Sequence, residues 1–376
     1  MKNYDIIVVG NGLISKLIVI AISNHNFKIC RVLAKSFRNT QNQIYSIRED
    51  SYNYLSSFNL FKGNPFFDIE KMSLFFGDAK EFVLENYVNS QKILRIIDKD
   101  TLEKSLDKII EKKEIDFYHF DDIEIVSDNE LKVIDGNKHI NICSKFFLVS
   151  DGKKSIVREK LYQKNQEIKF NQKAVTGTFY SKNVKPIAYQ WFKSSGILAL
   201  IPISKNEVSM VLSYPGKSQI VDPGLYLNNF FKKELVSVCG DQDFKDILFN
   251  SFDLSYTKPI FFKNGFVFFG DSCQTIHPLA GQGLNLGIKD VSVFAELLKK
   301  ITPQNINSKK LMYDYRRNRI IERVFFHKLT YSIAFLNFEN SQFFEKFSSL
   351  FVKILDQSNF LKQRVINLAN GGNHYY

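Results

Sequence analysis

Three short turns, each following an apolar run and leading into a helical pattern, constrain the fold of this chain most tightly. They are Gly10-Asn11-Gly12-Leu13-Ile14-Ser15, Asp151-Gly152-Lys153-Lys154-Ser155, and the segment GDSCQTIHPLAGQGLNLGIKD that runs from Gly270 to Asp290. A strand-to-helix turn of this type sits at the carboxyl end of a strand, where open α/β sheets hold their ligands. The turns lie more than a hundred residues apart, so one sheet has to collect strands from distant parts of the sequence. The 376 residues suffice for one large domain or for two interleaved ones.

The pattern along the chain supports the interleaved arrangement. Tyr4 to Val9 reads as a buried parallel strand, Leu13 to Ser23 as a helix, and Phe27 to Leu33 as a second strand, giving a β-α-β unit. Residues 98–112 form an amphipathic helical pattern with Leu102, Leu106, Ile109 and Ile110 on one face. Strands are expected at 73–95, at Ile123 to Val126, Leu131 to Ile134 and Ile142 to Val149. Residues 168–215 and 252–262 carry the alternation of an antiparallel sheet packed on one side. The strand 266–269 then returns to the first domain, and the chain is helical from Ser308. The fold class is therefore α/β, a parallel-sheet, Rossmann-like nucleotide domain interleaved with an antiparallel-sheet substrate domain, plus a helical C-terminal part. The expected boundaries are 1–72, 96–165 and 263–300 for the nucleotide domain, 73–95 and 166–262 for the substrate domain, and 301–376 for the helical region.

Composition excludes several classes. A net charge of +12 invites an acidic partner, but the lysines are scattered and no basic stripe interleaved with aromatics occurs, so nucleic acid is not expected. Cys30, Cys143, Cys239 and Cys273 form no C-x-x-C pair, so neither a metal site nor a disulfide framework is expected, and a reducing cytoplasm fits. Asp5 interrupts the start, so no signal peptide is expected. No apolar stretch reaches the ~18 residues of a membrane span.

Each turn has its own chemistry. Gly10 allows a tight turn, Gly12 lets backbone approach a pyrophosphate at a helix N-terminus, and Ser15 stands where a third glycine would be. The acid that usually ends the second strand and holds a ribose hydroxyl is missing, with Ala34 in its place. Asp151-Gly152 reads equally as a plain turn; Ser155 can cap the following helix, and Arg158 faces either phosphate or solvent. In the third turn Asp271 can accept hydrogen bonds from sugar-like hydroxyls, and Pro278 fixes the backbone. Gly281-Gln282-Gly283 opens a helix whose free N–H groups favour an anionic ring or phosphate.

In this order, the turns resemble those of the flavin-dependent aromatic hydroxylases of the para-hydroxybenzoate hydroxylase type, and in particular the hydroxylases of ubiquinone biosynthesis. The matching residues are Gly10-x-Gly12, Asp151-Gly152-x-x-Ser155-x-Val157-Arg158, and Gly270-Asp271 with Pro278-x-x-Gly281-Gln282-Gly283-Leu284-Asn285-x-Gly287-x-x-Asp290. Phe192-x-x-x-Gly196-x-x-Ala199-x-x-Pro202 and the tail Leu368-Ala369-Asn370-Gly371 are similar as well. The resemblance implies FAD as cofactor, NAD(P)H and O2 as co-substrates, and hydroxylation of the aromatic ring of a prenylated phenol or quinone precursor. It implies that Asp271 bonds the ribityl chain, that the amides of Gly281 to Leu284 face the pyrimidine end of the flavin, and that Asp151-Gly152 lies near the pyrophosphate. The implied partners are other ubiquinone-biosynthesis proteins and a peripheral contact with the inner membrane surface. No acid–base residue and no metal ligand is assigned.

The chain departs from the family at Ser15, at Ala34, at Gln43 where an arginine is usual, at Lys99 where Asn or Gln is usual, and at Gln274 where histidine is frequent. Arg48 or Lys35 are the candidates to supply a compensating charge. A lost charge-assisted bond to phosphate costs about 1.5–3 kcal/mol, so the alternative is a non-catalytic homologue acting as a scaffold or lipid-presenting subunit. His277 reads equally as structural or chemical, and Trp191 as core. Phe325-Phe326, Phe335, Phe338, Phe343-Phe344, Phe347 and Phe351 read either as core or as a membrane or partner surface.

Overall fold

The computed structural model describes residues 2–35, 44–61, 66–76, 81–85, 92–162, 167–182, 184–216, 222–240, 247, 249–277, 281–299, 301–304 and 308–339. Gln43, Pro278 and the aromatic tail from 340 onward lie outside the described residues. The opening unit is β1 (Lys2–Val9), α1 (Leu13–Ile22) and β2 (Ile29–Ala34). It is followed by β3 (Ile44–Ile47), α2 (Glu49–Ser56), β4 (Phe67–Ile69), β5 (Lys71–Phe76), β6 (Phe82–Glu85), β7 (Leu94–Asp98) and α3 (Lys99–Ile110). Next come β8 (Asp116–Phe120), β9 (Asp122–Ser127), β10 (Glu130–Asp135), β11 (Lys138–Val149) and α4 (Ile156–Tyr162). The second domain adds β12 (Glu167–Tyr180), β13 (Ile187–Lys193), β14 (Gly196–Pro202), β15 (Glu207–Pro215), α5 (Pro223–Phe230), α6 (Lys232–Cys239) and β16 (Asn250–Thr257). The chain returns through β17 (Phe262–Lys263) and β18 (Phe266–Phe268) to α7 (Gln282–Leu298) and α8 (Ser308–Glu339).

β1 lies within an eight-stranded sheet ordered β17-β18-β11-β1-β2-β8, with β10 and β9 attached along β11. β1 pairs in parallel with β2 and β11, and β11 in parallel with β18. The strands that precede the three turns, β1, β11 and β18, are therefore neighbours, and their turns leave the same end of the sheet. These strands are nearly continuous apolar runs, and their apolar residues are buried on both faces of the sheet. α1 shows the same logic: its apolar residues are buried almost all round, and its one lysine, Lys16, reaches Asp107 at 2.7 Å and Glu103 at 3.4 Å on α3. Unpaired, that buried ammonium would be costly.

The second sheet is seven-stranded, ordered β16-β12-β15-β14-β13-β5-β6, antiparallel except for β5 on β13. Leu198, Leu200, Met210 and Leu212 on one face pack with Leu227, Phe231 and Leu235 of α5 and α6. Trp191 belongs to this core, stacked at 5.4 Å on Phe75 and 5.7 Å on Tyr189. The opposite face, including Ala188 and Met72, meets a small sheet ordered β3-β7-β4 through Ile69, Leu94 and Ile96. This is the α/β architecture expected from the sequence, with the helical C-terminal part beginning at α8.

Gly10 has φ of +134°, and a Cβ there would lie 2.5 Å from the carbonyl oxygen of Ser150. The first and second turns thus touch at a point that only glycine permits. Gly10→Ala is expected to destabilise the protein by more than about 1 kcal/mol, read as a lower urea midpoint at unchanged slope.

Candidate functional site

The first turn places Gly12 at the N-cap of α1 with no side-chain cap, and no atom lies within 4 Å of the point where its Cβ would be. Free N–H groups of a helix N-terminus therefore border open space, which suits a phosphate. Ser15 is fully buried, and its Oγ donates to the Gly10 carbonyl at 2.6 Å. The hydroxyl that replaces glycine is satisfied inside the turn.

In the second turn Gly152 has φ of +84° with open space beside it. Asp151 Oδ2 accepts from the Val157 N–H at 3.3 Å, while its Oδ1 is buried without a partner among the described residues. Burial pushes the Asp151 carboxyl up from its ordinary pKa, against hydrogen bonds from Ser155 and Val157 and the charge of Arg158. Ser155 Oγ accepts from the Arg158 N–H at 3.1 Å and caps α4. Arg158 corrects the expectation that it faces phosphate or solvent. It is buried, and its guanidinium donates to the carbonyls of Asp271 at 3.2 Å, Ser272 at 2.9 Å and Lys153. It ties the second turn to the third because carbonyls, unlike phosphates, are already at hand there.

The third turn begins at Gly270, with φ of +58°, and continues as a single 3-10 turn through Ser272. Asp271 is exposed yet surrounded by protein, and its carboxylate accepts no hydrogen bond from the described residues. This enclosure pushes its pKa up, opposed by Arg323, Lys153 and Arg158. Gly281, with φ of +60°, is the uncapped N-cap of α7, and the Cβ position of Gly283 lies 3.6 Å from Asp271 Oδ1. Leu284 follows in the first turn of α7, packed against the main core.

The side chains of Gln282 and Asn285, residues expected at the cofactor, are engaged with protein. Asn285 Oδ1 accepts from the Arg48 N–H at 3.0 Å and its Nδ2 donates to Ser46 at 2.9 Å. Gln282 Oε1 accepts from Arg48 Nη1 at 3.3 Å. Both clamp the β3–α2 link onto α7. Neither candidate compensating cation is directed at a ligand: Arg48 is fully buried with Asp50, Glu322 and Gln282, and Lys35 pairs with Asp121 and Asp135. His277 is buried, with Nε2 3.1 Å from Gln172 Oε1 and Phe170 edge-on at 5.2 Å. Burial lowers its pKa to about 3, so the neutral ring can only donate to that oxygen through an Nε2–H.

The sequence did not reveal an ionic cluster beneath this turn. Asp290 is fully buried, and its carboxylate accepts from the Gly270 N–H at 3.0 Å, Arg319 Nε at 2.8 Å and Arg323 Nε at 3.0 Å. Glu322, which burial alone would raise, is held at about 2 by Arg319 and Arg48. The repeat of arginine at 319 and 323 on one helix face, with Glu322 between, was the available signal. Tyr45 on β3 was also missed. It is half-buried near Glu103, Asp271 and Asp100, and its desolvation with those charges holds its hydroxyl proton well above the ordinary range.

Beside Gly281 and Ser46 opens a cavity of about 70 Å³. It lies between the small sheet and the second domain, lined by Gln190, Ala199, Ile201 and Ser213 among others, with no charged side chain among the described lining residues.

Among the described residues the three turns bring together two uncapped helix N-termini, two open glycines, the Asp271 carboxylate without a hydrogen-bond partner and the buried, unpaired Oδ1 of Asp151. This donor set fits an elongated dinucleotide with a hydroxylated linker. At the end of β2 it lacks the ribose acid, where Ala34 stands. In an apo-protein the raised pKa of Asp271 costs stability. The contribution of such a group is fully present below its unfolded value of 3.8 and is lost as pH rises through its higher folded pKa. FAD-free Asp271→Asn is therefore expected to melt above the wild type near about pH 7, with the difference shrinking toward about pH 4.

The family model described as "FAD binding domain" matches residues 108–326, more than half of the chain. Human mitochondrial ubiquinone biosynthesis monooxygenase COQ6 is 22% identical over 358 residues, covering 78% of this chain and 76% of that protein. Ubiquinone hydroxylase UbiL of Rhodospirillum rubrum is 27% identical over 167 residues, 40% of this chain and 36% of that protein. Among solved structures, PqsL of Pseudomonas aeruginosa, titled a probable FAD-dependent monooxygenase, superposes with a TM-score of 0.74 at 16% identity, covering 91% of this chain and 98% of that one. Klebsiella pneumoniae HpxO, complexed with FAD and uric acid, gives 0.72 at 11% identity, covering 98% and 96%.

Proposed function

The chain belongs to the FAD binding domain family, and from that premise we propose that it is an FAD-dependent monooxygenase acting on the aromatic ring of a prenylated ubiquinone precursor. The balanced reaction inserts one oxygen atom of O2 into a ring C–H bond, reduces the other to water, and oxidises NAD(P)H. The observation that carries this reading is the uncharged cavity next to Gly281, at the junction of the glycine-rich helix start and the second sheet. The ubiquinone-biosynthesis names of the relatives COQ6 and UbiL support the substrate class.

In this reading, the N–H groups at Gly12 hold the pyrophosphate, with Ser15 supporting the turn and Asp151-Gly152 alongside. Asp271 accepts from ribityl hydroxyls. The amides of Gly281 to Leu284 meet the pyrimidine end, where a helix N-terminus favours negative charge. When bound, the flavin supplies the hydride acceptance and oxygen activation that no side chain provides. The chain's own contribution is orientation and exclusion of water from the apolar cavity. The local satisfaction of Ser15 supports retained binding, whereas Ala34 is the position that favours the scaffold reading. An exposed apolar ridge on α8, Ile321, Phe325 and Leu329, supports a peripheral membrane contact for a lipid-soluble substrate. Among the described residues no helix is long and apolar enough to cross a membrane.

Gently purified protein is expected to be yellow and to bind added FAD saturably. Asp271→Ala should weaken this binding by roughly tenfold to a hundredfold, and the loaded protein should add one oxygen to a prenylated phenol at the expense of NAD(P)H. A folded protein that leaves FAD fluorescence unchanged would sink the enzyme and support the scaffold.

A further inference from the structure

We propose that Gln190 reads the ring oxygen of the substrate, and that the cavity it lines selects a ring carrying no ionised group. This inference rests on the proposed function and specifies its substrate. On β13, Tyr189 and Trp191 turn toward the α5–α6 core, and the intervening Gln190 turns the other way, into the cavity beside Gly281. Gln190 is 6% exposed, no hydrogen bond joins its carboxamide to the described residues, and its polar atoms open on the cavity instead of being sealed in protein. Its cross-strand neighbour on β14 is Ala199, small enough to leave space in front of the amide. Ser213 on β15 shares this face, is 3% exposed, and likewise has no partner for its hydroxyl.

Shielded from bulk solvent, held by no protein partner among the described residues and opening on one cavity, the two groups are placed for a ligand that completes them. A carboxamide both donates and accepts, so it can receive a phenol O–H and also donate to a ring oxygen. A carboxylate on the ring would be desolvated here with no cation among the described lining residues to meet it. Sites that hydrogen-bond a substrate hydroxyl discriminate strongly against the analogue without it. The ligand class is thus an apolar-substituted, un-ionised phenol or quinone.

The test uses the FAD-loaded full-length protein and follows perturbation of the flavin absorbance during titration with ortho-prenylphenol, its para-carboxylate analogue and prenylbenzene. The neutral phenol is expected to bind at least about tenfold tighter than the carboxylate. Gln190→Leu, close in volume, should weaken the phenol about tenfold while leaving prenylbenzene and FAD affinity unchanged. Ser213→Ala, a milder change, should weaken the phenol several-fold and provides the reading if the first variant fails to fold. Equal binding of carboxylate and phenol, or variants that bind the phenol like the wild type, would overturn this inference alone. A yellow protein that binds none of the three rings would overturn the proposed function together with it.

Discussion

Asp290 is fully buried, and the arrangement around it organises the whole ligand side of the molecule. Its carboxylate lies between Arg319 and Arg323 of α8 and also accepts the N–H of Gly270. Arg323 reaches on to the Gly270 carbonyl at 3.3 Å, and Arg319 to the carbonyl of Leu286 at 3.2 Å. Removing one member of a buried set of this kind leaves an uncompensated charge, at a cost on the order of 3–5 kcal/mol. The consequence is geometric. Gly270, whose left-handed conformation starts the third turn, is held at both its N–H and its carbonyl, so Asp271 is presented from a fixed backbone.

The same economy of space appears where the helices meet. Ile14 of α1 lies against Gly270 and Gly287, where an added Cβ would come within 3.3 Å and 2.8 Å of it. Absent side chains on the third turn and on α7 thus admit the first helix, and Arg158 closes the remaining edge between the second and third turns. Three segments separated by more than a hundred residues become one surface through contacts of glycine with isoleucine and of guanidinium with carbonyl. None of the three turns forms that surface alone.

The glycines were legible because each reports a local backbone need that spacing exposes: positive φ at Gly10, Gly152, Gly270 and Gly281, and open approach at Gly12. The β-α-β start and the alternating second sheet were legible through period. The side-chain partners of Arg158, Gln282, Asn285 and Arg48 were not legible, because a polar residue inside a ligand motif has the same appearance whether it meets the ligand or braces the loop. Only the distances separate the two. Gln190 gave no signal, since a single neutral residue in an alternating strand becomes distinctive only when its partners prove to be missing. The Asp290 cluster spans α7 and α8, and pairing at that separation is set by how the helices pack and not by local pattern.

On this reading the three turns hold one FAD, with the pyrimidine end at α7 facing the Gln190 cavity. A crystal structure of the protein with FAD tests this most directly. The pyrophosphate is expected against the Gly12 N–H groups, a ribityl hydroxyl on Asp271, and the pyrimidine edge on the amides of Gly281 to Leu284. A flavin seated elsewhere, or no flavin at the three turns in crystals grown with saturating FAD, would contradict this reading.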